Sequence, residues 1–214
     1  MEHRTRALLD LYRSAPPEAP YSVLFDNTVQ SAVDTSDVLQ SAANGYESTV
    51  EYPATPFGAG LKVLAQAIVG DLGVKVGHIT LGGFDTHAAQ LEEQSTLLRT
   101  FSEGIFAFQQ DLRAHGKSQN VVVMTWSEFG RRARSNASDG TDHGSAGPMF
   151  ILGDPVLGGL YGERPDLGYL YDDNLFFTTD YRRVYATVLE RWLEAPADAI
   201  LGTSEFEPIP LLAL

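Results

Sequence analysis

The amino-acid sequence predicts an α/β fold whose sheet is mostly parallel. Between residues 57 and 125, helix-type apolar patterns alternate with short apolar runs, and this order requires crossover connections that make neighbouring strands parallel. Polar side chains follow directly after two of the apolar runs, residues 76–81 and 121–125. Polar groups at the carboxyl ends of strands are the usual site geometry of open α/β sheets, so we expect a site there.

Residues 1–56 are predicted to form a helical and loop segment. Residues 2–12 have the pattern of a short helix, and a proline-rich stretch then interrupts regular structure because proline removes a backbone donor. Apolar spacing predicts a helix over residues 21–43, and an Asn-Gly pair ends it. Residues 48–56 contain two prolines and are predicted to be a loop.

Residues 57–214 are predicted to form the C-terminal α/β domain. Apolar residues at three- and four-residue steps indicate its helices, and short apolar runs indicate its strands. The predicted helices cover residues 57–72, 87–115 and 178–193, with Thr179 as the cap of the last, and the predicted strands cover residues 76–81, 121–125 and 149–152. Residues 135–147 are rich in Ser, Asn, Asp and Gly, which predicts a loop over the site.

Composition and charge exclude several classes of protein. The formal net charge is −13, whereas proteins that bind nucleic acid need a basic surface. No apolar run reaches the length of a membrane span, and no apolar core follows residues 1–4 as a signal peptide would require. The chain has no cysteine, so any bound metal must use oxygen and imidazole ligands.

The first predicted strand end carries Asp85 and His87, directly after a Gly-Gly pair. Residues two apart face the same way in an extended backbone, so one carboxylate oxygen and one imidazole nitrogen could reach the same ion. The glycines permit close approach of the backbone. The alternative is that Asp85 caps the next helix and His87 lies in its first turn.

The second predicted strand end carries Glu128 and Arg131. A carboxylate that follows the most apolar strand is expected to need a partner, because an unpaired buried charge is costly. Arg131 or Arg132 could pair with Glu128, or a metal could hold it ionised. Arg131 could instead bind an anionic substrate group through its guanidinium.

A third polar group, Asp142-His143-Gly144, lies in the glycine-rich loop before the last predicted strand. We expect His143 to complete a metal site with the side chains at the two strand ends. The alternative is a turn in which Asp142 bonds its own backbone. Ser127 lacks the G-x-S-x-G context of a serine-hydrolase nucleophile, so such a triad is not predicted.

Four segments in this order resemble the bacterial protein family called domain of unknown function 1501. They are GGFDTHAAQ at residues 82–90, MTWSEFGRR at 124–132, GTDHGSAGPMFILG at 140–153 and TTDYRRVYATVLERWL at 178–193. That family is similar to the alkaline phosphatase and sulfatase superfamily. The resemblance implies a three-layer α/β/α fold, a metal-dependent hydrolase ancestry, and a periplasmic or secreted location.

The resemblance also implies a set of ligands. Superfamily members bind metal with a carboxylate-and-histidine motif, an Asp-His pair and a later histidine. Asp85 with His87 resembles the first, Glu128 stands where the second begins, and His143 resembles the last. Phe129 replaces the histidine of the Asp-His pair, which departs from the two-metal pattern.

The superfamily also has an N-terminal strand with a metal-binding aspartate and a nucleophile, and no such strand precedes residue 74. The chain is therefore expected to correspond to the C-terminal part of the fold. An open sheet edge would invite a second copy or an N-terminal half. Without a signal peptide, the chain produced as it stands would remain in the cytoplasm.

Two functions are expected. The first is a metal-dependent hydrolase of phosphate or sulfate esters, in which a divalent ion such as zinc, calcium or manganese polarises a small anionic ester. Its metal ligands would be Asp85, His87, Glu128 and His143, and Glu128 and Arg131 would be catalytic. The second is a non-catalytic module that keeps the fold and binds one ion, a partner or a cell-surface ligand.

Overall fold

The computed structural model describes residues 7, 10 and 21–213, without the side chains of residues 39, 42 and 43. The helix predicted over residues 2–12 and the proline-rich stretch lie outside the described residues, apart from residues 7 and 10, which are helical. Helix α1, Ser22–Asn44, confirms the helix predicted over residues 21–43. Within the described residues, no helix is long and apolar enough to cross a membrane.

Two further helices form the larger hydrophobic core. Helix α2 spans Pro56–Val69 and helix α3 spans Gln90–Ala114, which confirms the two predicted helices to within three residues at each end. The Oγ1 atom of Thr55 accepts the N–H of Gly58 at 3.1 Å and so caps α2. The buried core residues are Phe57, Leu61 and Ala65 from α2 and Ile105, Phe108 and Leu112 from α3.

Four strands of two residues each form two antiparallel pairs. Strand β1, Val123–Met124, pairs with β4, Ile151–Leu152, and strand β2, Gly130–Arg131, pairs with β3, His143–Gly144. Strands β1 and β4 lie within predicted strands, whereas β2 and β3 do not. Because the chain returns from β1 to β4 without a crossover helix, this pair is antiparallel. The mostly parallel sheet stays a prediction.

The first predicted strand has no strand partner. Residues 74–82, which we call the unpaired stretch, make no hydrogen bond to any described residue. Ile79 and Leu81 pack on the α2–α3 core, whereas Val76 is 75% exposed. The unpaired stretch and residues 121–127 line a common cleft of about 1380 Å³. Apolar packing therefore holds this part of the chain without a hydrogen-bonded ladder.

The C-terminal part of the described chain contains two short helices. Helix α4, Tyr181–Thr187, continues into a π-helical turn, Val188–Trp192, and α5 spans Ala197–Leu201. This confirms most of the helix predicted over residues 178–193. Asp180, and not Thr179 as predicted, caps α4, because its Oδ1 accepts the N–H of Arg182 at 2.9 Å.

The β1–β4 pair lies between two groups of apolar side chains. Val123 and Leu152 pack against the α2–α3 core. On the opposite face, Met124 and Ile151 pack against a second cluster formed by Val184 of α4 and by Ile209 and Leu211. This division follows from the alternation of side chains along a strand.

A buried carboxylate ties the loop before α2 to α3. Asp111 is fully buried and accepts hydrogen bonds from the hydroxyls of Tyr46 and Tyr52, the latter at 2.9 Å, and from the N–H of Thr49 at 3.2 Å. Burial opposes ionisation, but these donors hold the pKa of Asp111 below its ordinary value. Burial and the bond to Asp111 together raise the pKa of Tyr46 to about 12. This part of the predicted N-terminal segment is thereby anchored to the C-terminal domain.

Candidate metal centre

Two histidines and one aspartate come together in space. The Nε2 atom of His87 lies 3.1 Å, and the Nε2 atom of His143 lies 2.6 Å, from the same Oδ1 atom of Asp85. The imidazole centroids are 4.9 Å apart. One potential ligand atom from each residue lies within 4.8 Å of the others, and all three residues are exposed. The structure thus brings together three of the four residues predicted as ligands.

The first two of these residues, Asp85 and His87, lie in the loop that leads into α3. Ala89 precedes α3 with a φ of 45° and makes no side-chain cap. The alternative in which Asp85 caps the helix is therefore wrong. The N–H of Ala89 donates to the carbonyl of Ser138 at 2.9 Å, which attaches this loop to the glycine-rich loop.

The third residue, His143, is held by the β2–β3 pair. It lies opposite Arg131 in the antiparallel register. The ring of Phe129 stacks on its imidazole at a centroid distance of 3.9 Å and an angle of 7°. A Cβ atom at Gly140 would lie 2.4 Å from the carbonyl of His87, so only glycine permits the two loops to approach this closely.

Asp142 and Asn136 orient His87. Oδ1 of Asp142 lies 3.4 Å from Nδ1 of His87 and accepts from Nδ2 of Asn136 at 3.1 Å. The same Nδ2 donates to the carbonyl of His87 at 3.0 Å. A carboxylate facing Nδ1 favours the tautomer that leaves Nε2 free to bind a metal. The predicted alternative, in which Asp142 bonds its own backbone, is wrong.

Hydrogen bonding favours the ionised form of both carboxyl groups. The bond from His143 lowers the pKa of Asp85 below its ordinary value of 3.8, although partial desolvation by the neighbouring groups opposes this. The pKa of Asp142 is also lowered, first by Asn136 and then by His87. The two carboxylate side chains are 67% and 52% exposed, so solvent screens these interactions. Asp85 is thus available as an anionic ligand.

Neither of the two residues predicted as catalytic contributes a side chain to the candidate metal site. Glu128 is exposed at a bend between β1 and β2. It does not belong to the group of described residues that lie close enough together to hold a metal ion. The prediction that it is a buried charge in need of a partner is therefore wrong. Arg131 directs its guanidinium at backbone carbonyls, those of Phe84 at 2.5 Å, of Thr86 at 2.7 Å and of Thr141. This geometry gives no support to anion binding by Arg131.

The sequence interpretation missed the residues that orient the ligands. The predicted site gives Asp142 no contact with His87, although its position directly before His143 indicates such a role, because histidine ligands commonly need a carboxylate on their second nitrogen. Asn136 and Phe129 carry no such signal. Their contacts arise from how the loop folds, which residue type and spacing do not reveal.

Comparisons with known proteins identify the family. No curated protein and no solved structure matches the chain. A family model matches residues 3–197, a range that includes Asp85, His87 and His143 and most of the N-terminal segment. The chain therefore belongs to a protein family of unknown function, DUF1501.

Proposed function

We propose that this chain binds one divalent cation through Asp85, His87 and His143 and acts as a hydrolase of phosphate or sulfate esters. The observation that carries the proposal is the position of one carboxylate oxygen between two imidazole nitrogens, at 3.1 and 2.6 Å. Three exposed ligands at one point are typical of a catalytic metal site, in which the protein leaves coordination positions open.

The chemistry of the ligands narrows the choice of metal. Calcium prefers six to eight oxygen ligands, so two imidazoles disfavour it. Imidazole and carboxylate together suit zinc, and manganese is the second candidate. A bound ion would supply Lewis-acid chemistry by polarising an ester oxygen and lowering the pKa of water. The chain contributes Asp85 and the imidazoles as ligands, and Asp142 fixes the orientation of His87.

We also propose kinship with the alkaline phosphatase and sulfatase superfamily, with its three-layer fold and with a periplasmic or secreted location. The apolar packing on both faces of the β1–β4 pair supports the three-layer arrangement. The resemblance of the Asp85 and His143 motifs supports the metal-dependent ancestry.

A second candidate function is a metal-binding module without catalysis. It is favoured by the engagement of Arg131, whose guanidinium bonds three backbone carbonyls and leaves this residue unsuited to binding a substrate anion. In this case the ion would order the loops for a partner or a cell-surface ligand.

One experiment tests both candidates. The purified chain is loaded with zinc or manganese, its metal content is measured by mass spectrometry, and turnover of an aryl phosphate and an aryl sulfate is followed. We expect one equivalent of metal, lost in Asp85→Asn, and metal-dependent turnover of one substrate. Binding without turnover would support the module. A chain that retains no metal would overturn both.

A further inference from the structure

We infer that Arg131 is the positioning residue that holds the two ligand-bearing loops together, and that metal affinity depends on its guanidinium fork. This inference rests on the proposed metal site. Arg131, which the sequence predicts to bind a substrate anion, thereby takes a positioning role instead.

The guanidinium spans both loops. Its Nη2 atom donates to the carbonyl of Phe84 at 2.5 Å, and its Nη1 atom donates to the carbonyl of Thr86 at 2.7 Å and to that of Thr141. Phe84 and Thr86 flank Asp85, and Thr141 lies two residues before His143. One side chain therefore fixes the position of the carboxylate ligand relative to the second histidine.

No other described group replaces this connection. Within residues 21–213, the carbonyls of Phe84 and Thr86 accept hydrogen bonds from Arg131 alone. Apart from the contact between the two ligands Asp85 and His143 themselves, the remaining bonds between the loops involve His87 or residues after it, such as Asn136 to His87 and Ala89 to Ser138. The backbone on either side of Asp85 is thus tied to the β2–β3 pair through Arg131.

The backbone of Arg131 is itself fixed, which gives the fork a rigid base. Arg131 lies in β2 opposite His143, and its N–H donates to the carbonyl of Ala146 at 3.1 Å. Its guanidinium also lies over the ring of Phe129 at 5.0 Å, and that ring stacks on His143. The same side chain therefore contacts the surroundings of both ligands.

Lysine cannot reproduce this arrangement. The planar guanidinium presents several donors in fixed directions, whereas an ammonium is a compact point charge on a flexible stem. Replacing Arg131 by Lys keeps the charge but removes the fork, so the backbone on either side of Asp85 would no longer be held against β2 and β3. Loss of a group that supports metal ligands typically weakens metal binding about 10–100-fold, and we expect a change of that size.

The test compares Arg131→Lys with Arg134→Gln. Arg134 is exposed nearby in sequence and pairs with Asp173 at 3.0 Å, so its loss controls for removal of a surface arginine. Zinc affinity is measured by competition with a chromophoric chelator, and cobalt is used as a spectroscopic probe of the ligand geometry. We expect weaker zinc binding and an altered cobalt spectrum in Arg131→Lys, and wild-type behaviour in Arg134→Gln.

Two further readouts and one control variant distinguish a failure of this inference from a failure of the proposed function. Hydrogen exchange of residues 83–88 in the metal-free chain should accelerate in Arg131→Lys if the fork orders this loop. In Arg131→Ala, added ethylguanidinium should restore part of the zinc affinity. Wild-type zinc binding that is lost in His143→Ala but unchanged in Arg131→Lys would overturn the inference and leave the metal site intact. A wild-type chain without zinc binding would overturn both.

Discussion

Two consecutive parts of the chain differ in the interactions that fix them to the rest of the molecule. The unpaired stretch, residues 74–82, rests on the α2–α3 core through Ile79 and Leu81 and makes no hydrogen bond to any described residue. The ligand loop, residues 83–89, is held by Arg131, Asn136 and a backbone bond to the glycine-rich loop. Apolar packing is non-directional, whereas hydrogen bonds fix positions. The arrangement of the candidate metal ligands thus depends on bonds between loops and not on a strand ladder.

The largest expected effect separates a histidine of the candidate metal site, His143, from a histidine of the unpaired stretch, His78. His143→Ala should abolish zinc retention, a larger loss than the ~10–100-fold typical of groups that only support ligands, because it removes a ligand. His78→Ala should bind zinc as the wild type does, because His78 is an exposed residue of the unpaired stretch. The centroid of its imidazole lies 6.0 Å from that of the Trp126 ring.

Isothermal titration of both variants with zinc checks this prediction. Thermal unfolding of both variants serves as the control, and His78→Ala should change stability by no more than ~0.5 kcal/mol because His78 is exposed. Equal losses of affinity in the two variants would remove the distinction between the regions.

Two glycines provide the next comparison. A Cβ atom at Gly140 would lie 2.4 Å from the carbonyl of His87, whereas a Cβ at Gly82 would meet nothing within 4 Å. Gly140→Ala should therefore destabilise the chain by ~1–3 kcal/mol through a steric clash, and it should also separate the two ligand loops. Gly82→Ala should change stability by no more than ~0.5 kcal/mol.

Urea unfolding of the two glycine variants, without metal, measures both values. If Gly82→Ala proved as destabilising as Gly140→Ala, the unpaired stretch would have close neighbours in solution that the structure does not contain.

The sequence predicts the helices of the fold better than it predicts which strands pair with each other. Helices α1, α2 and α3 confirm three predicted helices. They were predictable because the spacing of apolar residues that indicates a helix can be recognised within a short stretch of sequence. The first predicted strand shows the limit of this approach. Its apolar residues do pack on the core at Ile79 and Leu81, but strand pairing depends on distant segments that a local pattern does not identify.

The site was predictable to the extent that it depends on residue type. Asp85 and His87 are two residues apart and His143 follows a carboxylate, so these three could be named in advance. Glu128 was placed with them because it follows an apolar strand, yet the chain bends there and leaves it exposed. The role of Arg131 depends on β2 and β3, which are two residues long and carry no apolar alternation.

A smaller effect is expected at the carboxylate behind His87. Asp142→Asn should weaken zinc binding about 10-fold, because a neutral amide no longer favours the tautomer with a free Nε2. Asp139→Asn is the matched control, since Asp139 is exposed in the same loop, its φ of 55° suits asparagine, and its side chain bonds no described residue. Chelator competition measures both affinities. Identical affinities would show that Asp142 does not orient His87.

The smallest expected effect concerns the ion pair between the exposed Arg113 and the half-buried Asp154, which ties a loop to α3. Among the described residues, the unpaired stretch makes no connection of this kind. Arg113 donates to Asp154 at 2.5 Å and, together with Ser118 and Gln109, lowers the pKa of Asp154 from its ordinary value of 3.8 to about 2. Because the folded-state pKa is the lower one, the stability from this pair is fully present above pH ~4 and is lost as the pH falls towards ~2.

Arg113→Gln should therefore lower stability at pH 5 and make its decline towards pH 2 shallower than in the wild type. Arg99→Gln, on the same helix and without an ion-pair partner among the described residues, should keep the wild-type slope. Urea midpoints between pH 2 and pH 5 measure these slopes, and parallel curves for Arg113→Gln and the wild type would show that the pair adds no stability in solution.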